Sequence, residues 1–424
     1  MASATLTTMD PVLKQLYRYE KIIELCYEDH PFLAMVPKFE SFTGRNMPIP
    51  IRYGRPQGRA SYFSTAQTNA TYSRFEDFLI TMSKNYGVAT VDGMTADLSE
   101  SSRGAFISAM TAEIDGIMQE VARDLSRNLF RDETGVIGTV SSTVACTDTV
   151  LTLSDVADVV MFEVGMQLCN TNASTKVIIT AAGEPITAID RASGTLTAAD
   201  WKDIGASGST VPAGGTGLCV YGDHLTATSD VASQGGTRGK LAGLQSWLLT
   251  ESNATAFFGV TRSVDSRLWG TYHDGSSDSR EDALINAQSK AAVEGGKVDV
   301  IFVNNADYRG LITDLGSKVQ YEQASAQSGK GNVANMAFKA VTVHGDHGPI
   351  KVIADPDCPK GTAFGLEMKS WTLLSAGQAP KILMRDGLRI QRQASADGYE
   401  VRCGYYANLA CDAPGHNVRI NMPS

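Results

Sequence analysis

Residues 41–75 form a basic, proline- and glycine-rich segment that cannot be helical. The segment contains five arginines, three prolines and three glycines, with no Asp, Glu or Lys. Proline removes a helical hydrogen bond and glycine costs helix stability, so an extended conformation is expected. The residues on either side alternate between apolar and polar, as β-strands do. The apolar positions are Met47, Ile49, Ile51 and Tyr53 on the first strand, and Phe78, Ile80, Met82, Tyr86 and Val88 on the second. We therefore predict a long two-stranded hairpin.

This hairpin is predicted to rest on another copy of the same chain. Its tip has too little apolar surface to fold back on its own domain, and an isolated hairpin is only marginally stable in water. Arginine and tyrosine are enriched at protein contacts, and the guanidinium group pairs with carboxylates, in which the rest of the chain is rich. A basic hairpin on an acidic body is self-complementary, and head-to-tail repetition of such a contact closes rings or shells. The candidate contact residues are Arg45, Arg52, Tyr53, Arg55, Arg59, Tyr62, Phe63 and Arg74.

Length and composition indicate a globular protein with several sub-domains. A chain of 424 residues exceeds one comfortable core, and 43% hydrophobic with 20% charged residues is ordinary for globular domains. No apolar run approaches the ~20 residues of a membrane span, and the first residues lack the pattern of a signal peptide. Seven cysteines without a C-x-x-C pair favour a reducing cytoplasmic compartment. The net charge of −9 argues against a protein that reads nucleic-acid sequence.

Residues 99–131 carry the clearest helical pattern in the chain. Apolar residues recur every three or four positions, which places them on one face of an α-helix. Ser99 is a favourable N-cap, and about 30 residues at 1.5 Å each make a rod of about 45 Å. The opposite face carries charged residues, including Arg123 and Arg127. The apolar face consists of Phe106, Met110, Ile114, Ile117, Val121, Leu125 and Leu129.

The remainder of the chain divides by pattern into a β-rich part and an α/β part. Short alternating runs separated by turn residues fill residues 136–222 and predict a small β-barrel or sandwich inserted into a larger domain. Ser279 begins a helix with a capping-box-like pattern, and residues 298–303 form a continuous apolar run typical of a buried strand. The C-terminal residues alternate again, as strands do. Together these patterns indicate an α+β protein.

No set of residues in the sequence argues for a catalytic site, a cofactor or a metal. His344, Asp346, His347 and Cys358 could together ligate zinc, but the sequence Gly-Asp-His-Gly is more typical of an exposed turn. The run 328–331 (SGKG) lacks the pattern of a phosphate loop. One alternative from another class is a β-rich carbohydrate-binding or hydrolytic protein built around residues 136–221. The aromatic residues that this region offers as a platform are Phe162, Trp201 and Tyr221.

The order of these segments resembles that of the major capsid proteins of tailed bacteriophages, which have the Hong-Kong-97-type fold. An extended loop (NMPIPIRYGRPQGRASYF) precedes a strand and a long spine helix (RGAFISAMTAEIDGIMQEVARDLSRNLF). The run DALINAQSKAAVEGGKVDVIFVNNADYRGL is similar to the axial domain, and GYEVRCGYYANLACDAPGHNVRI to closing strands of the peripheral domain. The resemblance implies an N-terminal arm (1–40), an extended loop (41–92), the spine helix with part of the peripheral domain (93–135), a β insertion domain (136–222), an axial domain (223–372) and return strands of the peripheral domain (373–424).

The resemblance also implies a non-enzymatic virion protein that assembles in the cytoplasm of a bacterial host. Copies of the chain would form the hexamers and pentamers of an icosahedral shell around double-stranded DNA, which they hold non-specifically. Portal and scaffolding proteins are expected partners, a decoration protein is a further candidate, and no membrane is involved. Because the sequence starts at Met1, the scaffolding protein is expected to be a separate chain.

The extended loop would lie over a neighbouring subunit. The insertion domain would lie on the outer surface. Some members of the family cross-link through a lysine on this loop. Residues 41–83 contain no lysine, so we expect a non-covalent shell. The nearest alternative is the shell of an encapsulin-type nanocompartment, which shares the fold and encloses enzymes.

Overall fold

The computed structural model describes most of the chain. The described residues are 30–94, 109–205, 210–227, 239–252, 256–315, 321–324, 338–384, 388, 390–393 and 397–423. Most of the predicted N-terminal arm lies outside these ranges, and so does Phe106 of the predicted spine helix. Helices and sheets are mixed along the described residues, which confirms the α+β prediction.

Short strands outnumber helices along the described residues. The α-helices are, in chain order, α1 (Pro31–Met35), α2 (Phe63–Thr68), α3 (Ala109–Phe130), α4 (Leu244–Trp247), α5 (Arg280–Val293) and α6 (Asn305–Leu315). The first strands are β1 (Lys38–Phe39), β2 (Asn46–Gly54), β3 (Arg74–Thr81), β4 (Ser83–Asp92), β5 (Val136–Thr139), β6 (Val150–Thr152), β7 (Gln167–Thr171), β8 (Glu184–Asp190), β9 (Thr195–Ala198), β10 (Gly217–Val220), β11 (Ala256–Phe257) and β12 (Val260–Thr261). The later strands are β13 (Thr271–Asp274), β14 (Val300–Val303), β15 (Tyr321–Ala324), β16 (Phe338–Gly345), β17 (Gly348–Ala354), β18 (Thr362–Leu366), β19 (Trp371–Ser375), β20 (Lys381–Ile382), β21 (Gln391–Arg392), β22 (Gly398–Cys411) and β23 (Val418–Asn421).

Seven strands form a mixed sheet in the order β13-β23-β18-β14-β17-β16-β15. Its central strand β14 pairs with parallel β17 on one side and antiparallel β18 on the other, and its side chains are buried on both faces of the sheet. Ile301 on this strand shares a hydrophobic core with Leu284 of α5 and Leu311 of α6. The Ser279 hydroxyl caps α5 by accepting a hydrogen bond from the Asp282 N–H at 3.1 Å. Because Leu284 and Leu311 pack in one core with Ile301, α5 and α6 cover one face of this sheet.

A second sheet is built around the 14-residue strand β22. Strands β1, β19 and β20 continue this sheet, and β4 and β21 also pair with β22. The long helix α3 lies against β4 and β22, and its buried residues Leu125 and Leu129 join the largest hydrophobic core. Gly87 permits this approach, because a Cβ atom there would lie 2.7 Å from Val121 Cγ2. With 22 residues, α3 spans about 33 Å and connects distant parts of the domain.

A third sheet lies within residues 136–220 and has the strand order β5-β10-β7-β8-β9-β6. All of its strand pairs are antiparallel. It has a hydrophobic core of its own, which includes the fully buried Phe162 and Trp201. The sheet falls in the stretch that the sequence analysis assigns to an insertion domain, and the boundaries of that domain stay a prediction.

One part of the predicted domain division is wrong. The sequence analysis placed all of residues 373–424 in the peripheral domain, but the final strand β23 belongs to the seven-stranded sheet. It pairs in parallel with β13 and in antiparallel register with β18. Val418 and Ile420 of this strand are buried in the core beneath α5. Their alternation indicates a strand but does not say which of two sheets the strand joins.

Candidate inter-subunit surface

Strands β2 and β3 form an antiparallel hairpin, which we call the arm (Asn46–Thr81). Ile49 lies opposite Phe78 and Met47 lies opposite Ile80, so these four side chains share one face. Phe78 and Ile80 are fully buried, and Met47 and Ile49 pack against the same core. The inner face of the arm is therefore covered by the body of its own chain.

Phe78 anchors the base of the arm in an aromatic cluster. Its ring centroid lies 5.2 Å from that of Trp247 and 6.3 Å from that of Phe257. The Leu79 N–H donates a 2.9 Å hydrogen bond to the Phe258 carbonyl, which ties β3 to the turn between β11 and β12. Aromatic pairs at such distances stabilise a core beyond their buried area. The expectation that the hairpin rests on another copy of the chain is therefore wrong for its base and concerns only its far end.

The free edge of β2 is poorly suited to pairing with a strand of another molecule. Pro48 and Pro50 lie within the paired part of β2, and proline has no N–H to donate. Their nitrogens therefore point away from β3, and the exposed edge lacks two hydrogen-bond donors. Regular strand pairing of a neighbouring molecule with this edge would lack two backbone hydrogen bonds.

The alternation of buried and exposed residues breaks at Met82, between β3 and β4. The even-numbered apolar residues of these strands face the core before the break and solvent after it. Phe78 and Ile80 are buried, but Tyr86 and Val88 are 56% and 48% exposed. The prediction of one continuous alternating strand through these residues is therefore wrong. Beyond the break, β4 pairs with β22 and turns its other side toward helix α3.

Tyr53 does not belong to the exposed contact surface. It is 9% exposed and packs in the largest core. A bulge displaces it from the strand pairing, because Arg52 lies opposite Phe75 and the next pair is Gly54 with Arg74. Its assignment as an inter-subunit contact is corrected accordingly, and Tyr53 instead fixes the arm to its own chain.

Residues 55–73, which we call the tip, form a small closed lobe beyond the two strands. The Gln57 N–H donates to Thr71 Oγ1 at 2.9 Å, and the Thr71 N–H donates to the Gln57 carbonyl at 2.6 Å. Helix α2 lies between these two residues, and none of its own residues is buried. Tyr62, Phe63 and Tyr72 are 77%, 78% and 79% exposed. The tip is thus fixed in shape while its aromatic rings face solvent.

All five arginines of the basic segment are exposed. They are Arg45, Arg52, Arg55, Arg59 and Arg74. None of them forms an ion pair with a residue in the part of the chain that the structure describes. Phe75, opposite Arg52 and 61% exposed, extends the same surface. The sequence analysis did not include Phe75 among the candidate contact residues, although an aromatic side chain on the polar face of a strand is a recognisable signal.

Helix α3 holds the predicted apolar stripe of the spine helix, as far as that stripe is described. Ile114 and Ile117 are partly buried against the largest core, and Val121, Leu125 and Leu129 are buried in it. The side chain of Met110, like the whole of Phe106, lies outside the described residues. Because this stripe packs on β4, the helix fixes the strand that continues directly from the arm.

The charged residues on the opposite face of α3 are buried against the third sheet. Arg123 is 5% exposed, and its Nη1 lies 2.6 Å from Glu163 Oε1. Arg131, just after the helix, has its Nη2 2.9 Å from Asp158 Oδ1. Burial lowers the pKa of the neighbouring Arg127 guanidinium. Arg123 and Arg131 attach the third sheet to the spine helix.

A buried acidic turn after β17 joins three other parts of the chain. His30 Nδ1 lies 2.8 Å from Asp357 Oδ2, and the Ser126 hydroxyl donates to the same oxygen at 2.6 Å. Asp355 Oδ2 accepts a 3.2 Å hydrogen bond from the Phe32 N–H. Burial, reinforced by Asp357, raises the pKa of Asp355 to about 7. The sequence analysis missed this turn, although two aspartates around a proline directly after a strand pattern could have drawn attention to it.

The histidines considered as zinc ligands lie apart from any metal-binding geometry. His344 lies near the end of β16 and His347 in the turn that follows it, whereas Cys358 is fully buried in the largest core. Within the described ranges, no group of three His, Cys, Asp or Glu residues is arranged to hold a metal ion. None of the described helices is long and apolar enough to cross a membrane.

Comparison with known proteins places this architecture among capsid proteins. Residues 224–383 match the SU10 major capsid protein family, and no curated protein matches the sequence. The chain resembles the capsid asymmetric unit of cyanophage A-1(L) with a TM-score of 0.52, at 10% identity and over 99% of both chains. It is also similar to the capsid of an empty GTA particle (TM-score 0.47, 7% identity, 100% of both chains). The holo-SrpI encapsulin complex from Synechococcus elongatus gives a TM-score of 0.46 at 7% identity, over 100% of this chain and 97% of that one.

The fold is that of the Hong-Kong-97-type capsid proteins, as the likeness to the cyanophage capsid shows. The family match covers α4 to α6 and most of the seven-stranded sheet. The prediction of this fold from the order of the sequence segments is confirmed.

Proposed function

We propose that the chain assembles with copies of itself into the icosahedral shell of a virion, and that the tip of the arm contacts a neighbouring subunit. The observation that carries this proposal is the exposed tip of fixed shape. Its aromatic rings and its arginines face solvent in a single chain, although both residue types stabilise contacts when a partner covers them. A surface of this composition supports a contact with another protein molecule.

The charge distribution supports a second copy of the chain as that partner. The chain carries 46 acidic residues against 37 lysines and arginines, and the basic segment contains none of the acidic ones. Guanidinium groups pair bidentately with carboxylates, so the tip is complementary to the acidic body of a neighbour. We place the acceptor carboxylates on the neighbour's spine helix or peripheral domain. Each exposed ion pair contributes only about 0–1 kcal/mol, but the contact repeats at every subunit of a shell.

The shell is proposed to hold together without covalent cross-links through the extended loop. Residues 41–83 contain no lysine, and Lys84 lies in β4, opposite Tyr406 of β22. The tip therefore contributes ion pairs and aromatic packing. Assembled shells should dissociate to single chains in hot detergent, and a ladder of larger species on a denaturing gel would contradict this.

Hexamers and pentamers of the chain are proposed to enclose double-stranded DNA without sequence-specific contacts. The net charge of −9 supports an inner wall that does not bind DNA tightly. Scaffolding, portal and decoration proteins are the further proposed partners. The third sheet, held to the spine helix by Arg123 and Arg131, is proposed to face outward. The role of the chain is structural, and we assign it no catalytic residue.

Expression of the chain alone tests both the assembly and the tip contact. Negative-stain microscopy and light scattering should show shells or sheets for the wild type. The double change Arg55→Glu and Arg59→Glu reverses the charge of the tip and should abolish these assemblies while circular dichroism shows a folded chain. The matched control, Arg55→Lys with Arg59→Lys, keeps the charge and should still assemble. Normal shells from the charge-reversed variant would refute the tip contact.

A further inference from the structure

Two cysteines of the third sheet face each other across neighbouring strands. Cys169 on β7 lies directly opposite Cys219 on β10 in antiparallel register. Their Sγ atoms are 2.9 Å apart, and both cysteines are free thiols. Both side chains are fully buried. The fold thus brings together two thiols that are 50 residues apart in the sequence.

The pair lies on the side of the sheet that faces away from the sheet's own core. Leu168 and Leu218, the neighbours of the two cysteines along the strands, belong to that core, and strand alternation turns the cysteines to the other side. The charges of Asp223 and Lys240 also influence the pKa of Cys219, which places both residues near the pair. Lys240 Nζ in turn lies 2.7 Å from Asp223 Oδ2 and 3.2 Å from Asp124 Oδ2 of the spine helix. The cysteines therefore lie near the junction of the third sheet with the spine helix.

We propose that Cys169 and Cys219 are a disulfide-forming site, which closes across β7 and β10 when the chain meets a small-molecule disulfide. Directly opposed residues of an antiparallel pair have Cα atoms about 4.5–5.5 Å apart, and disulfides need about 4.4–6.8 Å. The two sulfur atoms already point at each other, as their contact shows. The bond can therefore form without a change in strand register.

The reaction is two successive thiol–disulfide exchanges. The thiolate of one cysteine attacks a sulfur of the small disulfide, which forms a mixed disulfide and releases one small thiolate. The second cysteine then attacks the protein sulfur of the mixed disulfide and releases the other small thiolate. The two protein thiols are oxidised, the small disulfide is reduced to two thiols, and the two protons of the protein thiols end on the released thiolates.

Burial determines when this reaction takes place. The neighbouring thiol and the buried surroundings raise the pKa of Cys219, so the reactive thiolate is scarce in the closed sheet. Exchange therefore requires opening of the strands or an unfolded chain. The reducing cytoplasm keeps the thiols free, and closure belongs to the oxidising surroundings outside the host. Only the statement that closure takes place outside the host rests on the proposed function as a virion protein.

Refolding of the full chain in a glutathione redox buffer tests the proposal. The reduced chain is unfolded in guanidinium, refolded with oxidised and reduced glutathione, quenched in acid and alkylated. We expect two fewer alkylated cysteines than in the reduced chain and a peptide that links Cys169 to Cys219. The oxidised chain should unfold about 5 °C or more above the reduced one, because the cross-link restricts the unfolded chain.

Variants separate the pair from the other cysteines. Cys169→Ala and Cys219→Ala should each lose both the linked peptide and the redox-dependent shift in unfolding temperature. Cys146→Ala, which changes a cysteine elsewhere in the same sheet region, should keep both. Full alkylation after oxidative refolding, a linkage to other cysteines, or an oxidised chain that unfolds no higher would overturn the proposal. The assay uses unassembled chain, so it succeeds or fails independently of shell assembly.

Discussion

Replacement of Phe78 by alanine should release the arm from the body of the chain. The Phe78 side chain is fully buried, and its ring packs against Trp247 and Phe257. A Phe-to-Ala change in a core costs about 3–5 kcal/mol, through lost burial and the cavity that remains. Because Phe78 belongs to the hairpin and its neighbours belong to the body, most of this cost should fall on the contact between the two.

Hydrogen exchange measures this loss locally. A loss of about 3 kcal/mol raises the population of the opened arm by about 100-fold. In Phe78→Ala, the amides of β2 and β3 should therefore exchange about 100 times faster than in the wild type. The amides of the third sheet should exchange at unchanged rates, because that sheet has a separate core. Mass spectrometry of peptic fragments resolves the two regions.

The adjacent residue supplies a matched control. Leu79 is in the same strand but on the outer face, and it is 40% exposed. Leu79→Ala should cost less than about 1 kcal/mol and raise exchange in the arm by less than about fivefold. Equal effects of the two changes, or faster exchange spread evenly over the chain in Phe78→Ala, would refute the assignment of Phe78 as the anchor of the arm.

Two further predictions concern the links between other parts of the chain. The pKa of Asp355 is raised from 3.8 to about 7, so the folded chain holds this proton more tightly than the unfolded chain. The free energy of unfolding should therefore fall as the pH rises from about 4 to about 7, then level off, and Asp355→Asn should remove that fall. Urea unfolding at several pH values measures this fall. The same pH dependence in the wild type and in Asp355→Asn would contradict the prediction. Arg123→Met should lower the free energy of unfolding by about 2–3 kcal/mol, since it breaks a buried pair with Glu163, whereas Arg191→Met at the half-exposed other partner of Glu163 should cost less than about 1 kcal/mol. Similar losses for the two arginine variants in urea unfolding would count against the buried contact.

Local periodicity predicts those elements whose apolar side chains lie on one face. The stripe that includes Val121, Leu125 and Leu129 has helical spacing, and α3 lies within the range that this spacing predicts. The alternation at Met47 and Ile49 likewise predicts a strand with one buried face. In each case the apolar side chains occupy a single face, so the side-chain pattern reports the backbone period directly.

The parts that the sequence analysis missed depend on contacts between distant segments. The pattern of its own helix predicts Arg123 on the surface, and only the folded chain brings Glu163 to it. Asp357 meets His30 and Ser126 across hundreds of residues of sequence. The break at Met82 is set by the partner strand β22, which aligns β4 independently of β3. Periodicity along one segment contains no information about such partners.

The arm divides into a base that its own chain stabilises and a tip that is exposed in the single chain. A flexible loop loses conformational entropy when it binds, and this loss weakens the contact. The hydrogen bonds between Gln57 and Thr71 close the tip before any partner arrives, so less entropy remains to be lost. The buried ring of Phe78 fixes the direction of the arm in the same way. In the proposed contact, weak ion pairs at Arg55 and Arg59 can therefore contribute most of their energy to binding, because the chain has already fixed the shape of the surface that presents them.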